Sequence, residues 1–190
     1  MPSALRALAA VAVAFLLAGC TSSDSTTPLP PGPAPPQQAS LDWVERFPPK
    51  GPAIVFSARR FEVTASGWRA EIGLENETST QWRIVESPTT GFGVMLFPTD
   101  EVAEVESRSR NGDLPGLRQA STFDPPLPSR LPPGAHWRGT ISAPGPLAAG
   151  LFVRIVFGQL VAVGDAPDGM PAQFSWITDN SYGLEASRAN

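Results

Sequence analysis

The sequence predicts an all-β protein whose main domain is an antiparallel β-sandwich of about seven strands. Three observations lead there. Apolar and polar residues alternate with a period of two in several short runs, most cleanly in Trp68-Arg69-Ala70-Glu71-Ile72-Gly73-Leu74-Glu75. There Trp68, Ala70, Ile72 and Leu74 share one face while Arg69, Glu71 and Glu75 share the other. Glycine, proline and asparagine punctuate the runs at short intervals, and no long stretch beyond Phe47 sustains a helical period.

The chain opens with a different kind of segment. Met1 to Arg6 carries one cation, and the next thirteen residues, Ala7 to Gly19, carry no charge. Thirteen helical residues span about 20 Å, short of the ~30 Å hydrocarbon core of a bilayer. That length fits the apolar part of a signal peptide and not a transmembrane helix. A buried core helix or an ordinary secretory signal leaves unexplained why the only cysteine, Cys20, follows directly. An unpaired thiol outside the cytosol is a liability unless it is used.

Leu17-Ala18-Gly19-Cys20 resembles the lipobox of bacterial lipoproteins. The resemblance implies a signal peptide over 1–19, cleavage before Cys20, a diacylglyceryl thioether on its sulfur and acylation of the new amino terminus. Cys20 is then a lipid attachment point and not a nucleophile or a metal ligand. One acyl chain binds membranes only marginally, whereas two or more hold durably. The expected location is extracytoplasmic, anchored by lipid to the cell membrane or outer membrane.

Past residue 19 the chain has 18 acidic and 13 basic side chains, a formal charge of −5. This argues against nucleic acid and against an anionic membrane surface as partners. With no second cysteine, no disulfide can form within the chain, and the fold must stand on its core.

Residues 20–40 are read as the lipidated cysteine and a tether. Residues 21–40 hold six prolines and no aromatic residue. Such a segment cannot bury enough apolar surface to offset its ordering entropy, and in extended form it spans up to about 60 Å. Residues 41–190 are read as one domain of ordinary size. Its first stretch, Ser40 to Pro49, suggests a short helical turn capped by Ser40 and ended by Pro48-Pro49. Strands are then expected over 61–65, 68–75, 81–85, 91–97, 135–141, 151–157 and 173–178. Asp100 to Glu106 (DEVAEVE) is compatible with a helical turn or an edge strand.

The order of Trp68 to Asn76, then Leu131-Pro132-Pro133-Gly134 leading into Trp137-x-Gly139-x-Ile141, resembles bacterial immunoglobulin-like extracytoplasmic domains, including telokin-like ones. The likeness is one of layout across roughly 90 residues. It implies an immunoglobulin-like sandwich with a binding or accessory role and brings no functional residues with it.

Chemistry-bearing residues are sparse. His136 is the only histidine, so a His/Cys zinc site lacks its ligands and a Ser-His-Asp triad has a single candidate base. Phosphate-cradling and dinucleotide motifs are missing, and the sequence calls for no cofactor or metal. Asp100, Glu101, Glu104 and Glu106 cluster on one short element, where a solvated acidic face is the simpler reading than a pair opposed across a cleft. Asp165 to Gly169 does not meet the spacing of a calcium loop. Asn76-Glu77-Thr78 matches a glycosylation sequon, read here as a strand end.

Ser107 to Gly134 draws attention as a long Pro-rich loop. Arg108, Arg110, Arg118 and Arg130 stand there against Asp113 and Asp124 alone, and long loops in compact domains are often functional. Its plainer reading is a crossing between sheets with one edge strand at 120–123. Among the five tryptophans, Trp82, between Gln81 and Arg83, is the one expected to be exposed. The four arginines and Trp82 form the candidate partner-binding surface. The expected function is non-enzymatic binding of an envelope protein or surface glycan; the alternative is a carboxylate-dependent hydrolase acting on envelope polymers.

Overall fold

A computed structural model describes residues 32–86 and 90–186. The readings placed on residues 1–31, including the signal segment, the Leu17-Ala18-Gly19 lipobox and Cys20, lie outside the described residues. In chain order the elements are β1 (Gln37–Phe47), β2 (Ile54–Val63), β3 (Gly67–Asn76), β4 (Trp82–Val85), β5 (Gly93–Phe97), α1 (Val102–Asn111), β6 (Arg118–Gln119), β7 (Thr122–Asp124), β8 (Arg130–Leu131), β9 (His136–Pro144), β10 (Phe152–Ala162), β11 (Gln173–Ile177) and β12 (Tyr182–Gly183). Seven of these strands run five residues or longer.

All pairings are antiparallel and fall into two sheets. The first has the order β1-β2-β3-β9-β7. The second is built on β10, which pairs β5 and β4 along one side and β12 and β11 along the other, with β6 beyond β5 and β8 beyond β4. The fold is thus the expected all-β sandwich.

The two inner faces meet through apolar side chains. Ile54, Phe56, Ala58, Phe61, Ile72 and Leu74 of the first sheet join Val153, Ile155, Phe157 and Leu160 of the second in one buried cluster. Aromatic rings bridge the layers. Phe56 lies 4.9 Å from Phe157 and stacks on Trp176 at 5.3 Å, and Phe47 meets Phe174 at 5.1 Å. A smaller cluster of Met95, Phe97 and Val156 takes Val105, Leu114 and Leu117 against it, which seats α1 on the second sheet.

Several boundaries differ from the sequence reading. The segment expected as a helical turn is the long strand β1, and it begins at Gln37, inside the stretch assigned to the tether. The sheet also gains the chain before it: Ala34 N–H donates to Leu147 O at 2.7 Å, and Ala149 N–H donates to Gly32 O at 2.8 Å. β2 begins at Ile54, seven residues earlier than expected. Within Asp100 to Glu106, Val102 starts a ten-residue helix, closed by Gly112 in the left-handed conformation at φ 71°. Inside the expected loop 107–134 lie the end of α1 and the short strands β6, β7 and β8, so it is a series of sheet edges. It does cross between sheets, since β6 pairs β5 and β7 pairs β9.

Candidate functional site

The outer face of the first sheet carries a depression beside two bulges. The register of β1 on β2 shifts between Ser40 and Trp43, with Asp42 held at φ 50°. The register of β2 on β3 shifts between Ala58 and Arg60, which leaves both Arg59 and Arg60 exposed. Bulges bend a strand and re-aim its side chains. Ser40 and Trp43 stand opposite Arg60 and Ala58, so the two irregularities lie side by side.

One row across the sheet then reads Val44, Ser57, Gly73, Arg138. Gly73 supplies the floor, because a Cβ there would sit 2.6 Å from Ser57 Oγ and 3.2 Å from Arg138 Cγ. The trough above it has a volume of about 370 Å³, with Arg59 and Arg138 on its walls and Asp42 and Glu75 at its margin. Val44 beside it is 66% exposed. A second depression shares Ser57, Arg59 and Arg138.

Most charges elsewhere on this face are committed. Arg69 pairs with Glu62 at 2.6 Å, Arg60 with Glu71 at 3.6 Å, and Arg46 with Glu77. Among the described residues, Arg59, Arg138, Asp42 and Glu75 have no ion pair. The trough therefore presents donors and acceptors of both charges next to an apolar side chain. Such a set suits a ligand rich in amide or hydroxyl groups, since each can both donate and accept.

The residues singled out in the sequence are scattered by comparison. Arg108 is bound by Glu104 at 2.6 Å one helical turn away, and Arg110 lies 4.0 Å from Glu106. Glu104 and Glu106 of the acidic cluster thus offset the first two arginines on α1. Arg118 stands opposite Val94, which pairs Ile155, while Arg130 stands opposite Arg83, which pairs Val161. Six positions along β10 separate them, about 20 Å at strand spacing. The four arginines are not one patch.

Trp82 is a correction. It is fully buried, edge-on to Phe174 at 5.3 Å, with its indole N–H donating to Thr78 Oγ1 at 3.1 Å. Its polar neighbours Gln81 and Arg83 misled, because in a strand adjacent side chains point to opposite faces. His136 is exposed at the first position of β9. Asn76 is buried: its amide donates to Thr80 O and Leu131 O, and its Oδ1 accepts from Thr78 N–H. Among the described residues, no three His, Cys, Asp or Glu side chains gather as metal ligands.

The signal for the trough was present only in part. Gly73 interrupts the outward row of β3, but the bulges that align Arg59 and Arg138 beside it are features of strand pairing. No family model, curated protein or solved structure matches this chain.

Proposed function

We propose that this chain is an extracytoplasmic lipoprotein, acylated on Cys20, whose immunoglobulin-like sandwich binds an envelope protein or surface glycan without catalysis. The observation that carries the binding reading is the glycine-floored trough. Arg59, Arg138, Asp42 and Glu75 line it without an ion pair among the described residues, with exposed Val44 alongside. Charges left uncommitted on a rigid strand surface are available to a partner at little reorganisation cost. The lipobox supports the anchor, and the layout of 68–76 and 131–141 supports the accessory role.

A photo-crosslinking residue placed at Val44 in intact cells tests the surface. A higher-mass adduct is expected, and it should fade when Arg59→Ala and Arg138→Ala are combined. Equal capture with both arginines removed counts against the trough. For the anchor, Cys20→Ser should abolish detergent-phase partitioning and leave the leader attached; a mature protein that still partitions into detergent sinks the lipidation.

A further inference from the structure

Arg83 and Arg130 form a like-charged cross-strand pair at the edge of the second sheet. They are directly opposite in the β4–β8 ladder. Ile84 N–H donates to Ser129 O at 3.0 Å, which makes 84 and 129 a hydrogen-bonded pair. By alternation, Arg83 and Arg130 are the intervening non-hydrogen-bonded pair, where side chains stand closest, with Cβ atoms about 4.5–5.5 Å apart. Both residues are exposed, and neither has a carboxylate or hydrogen-bond partner among the described residues. Like charges directly opposite destabilise a sheet. Two other cross-strand pairs in this domain join an arginine to an acid, Arg60–Glu71 and Arg69–Glu62.

We propose that Arg83 and Arg130 are a binding site for phosphate groups of an anionic polymer. One guanidinium fork already saturates both oxygens of a carboxylate, whereas two adjacent forks can each engage a different pair of phosphate oxygens. The surrounding surface is a sheet face, with Arg83 continuing across the ladder to Val161 of β10. A flat site of this kind encloses little of a small molecule and gains strength by repeated engagement, which a polymer provides. The described chain begins at Gly32, docked on Ala149, just before β10 starts at Phe152. Val161 lies nine positions further, about 30 Å along the strand. The arginine pair is therefore remote from the point where Gly32 docks on the domain.

The test uses the full chain with long-chain inorganic polyphosphate as the polymer probe and phosphatidylglycerol vesicles as the headgroup probe. Wild type should bind polyphosphate in a salt-sensitive manner. Arg83→Gln with Arg130→Gln should weaken it by at least about tenfold. Arg60→Gln, which removes a similarly exposed but paired arginine, should leave it unchanged. The double variant should melt no lower than wild type in phosphate-free buffer, so loss of binding cannot be ascribed to unfolding. Arg83→Lys with Arg130→Lys, which keeps charge but not the forks, should bind less tightly than wild type. Equal polyphosphate affinity in wild type and the Gln double variant overturns the site. Binding confined to the vesicles overturns the polymer.

Discussion

Glu45 of β1 and Arg154 of β10 grip the same turn, residues 178–180, from different sheets. The Glu45 carboxylate accepts the Asp179 and Asn180 backbone N–H groups, both at 3.1 Å, the Asn180 amide at 2.9 Å and the Trp176 indole N–H at 2.6 Å. Arg154, with no exposed surface, donates to Thr178 O at 2.8 Å, to Asp179 O and to Asp100 O. Its guanidinium carbon also lies 5.7 Å from the centre of the Phe97 ring. The two charges are matched through backbone groups of the turn, and together they join the edge of one sheet to the core of the other.

Replacing Arg154 should be among the costliest single changes in the domain. Arg154→Met keeps apolar bulk but strands three carbonyls and leaves Glu45 without its counter-charge. A loss of about 3–5 kcal/mol in denaturant unfolding is expected. Glu45→Gln should cost about 1–3 kcal/mol. Because both residues hold one turn, the double variant should lose less than the sum, with a coupling of at least ~0.5 kcal/mol. Strict additivity would show that the turn is not shared.

Asp179 offers a pH test. Burial, and then the Glu45 charge, hold its carboxyl above the ordinary value of 3.8. A raised folded value means that folding favours the protonated form. Its favourable contribution is complete below 3.8 and is lost as pH rises through the raised value. At neutral pH the ionised side chain therefore weighs against the fold. Asp179→Asn should raise the denaturation midpoint at pH 7 relative to wild type, and that advantage should shrink as pH falls through the raised value and be gone below 3.8. An advantage independent of pH would assign the effect to something other than ionisation.

Asn76 should behave as a structural residue. Its side chain closes the end of β3 onto Thr78, Thr80 and Leu131, and Thr78 in turn receives the Trp82 indole. Asn76→Ala would leave those buried groups unsatisfied, at roughly 1–3 kcal/mol for each group left without a partner. Calorimetry should show a clear fall in melting temperature. A melting point equal to wild type would mean that water replaces the amide.

The trough residues should show the opposite profile. Arg59→Ala with Arg138→Ala removes side chains that make no ion pair among the described residues, so stability should stay within about 0.5 kcal/mol per site. Chemical denaturation of the double variant checks this. A large loss would identify these arginines as structural and remove them from the binding surface.

Much of the fold was legible because alternation is local. The inward row Trp68, Ala70, Ile72, Leu74 of β3 could be read directly, and β4, β5, β9, β10 and β11 followed from similar runs. β1 resisted for a physical reason. Its inward row is Leu41, Trp43, Glu45, Phe47, and a buried acid occupies a position where the pattern calls for an apolar residue. The bulge before Trp43 breaks the row again. Arg154 was visible inside an apolar run, but its partners come from segments 54 and 24–25 residues away. The arginine content of 107–134 was plain, while its division between α1, β6 and β8 depended on pairing. Sheet register, not composition, decides which charges on this protein are neighbours.

The irregularity in β1 has one more effect. β1 is a terminal strand eleven residues long, the kind of edge on which a second copy of a protein can add itself. Asp42, turned into a left-handed conformation midway, keeps this edge, terminal among the described residues, from running straight. A second copy laid along this edge would lose its hydrogen-bond register at the kink.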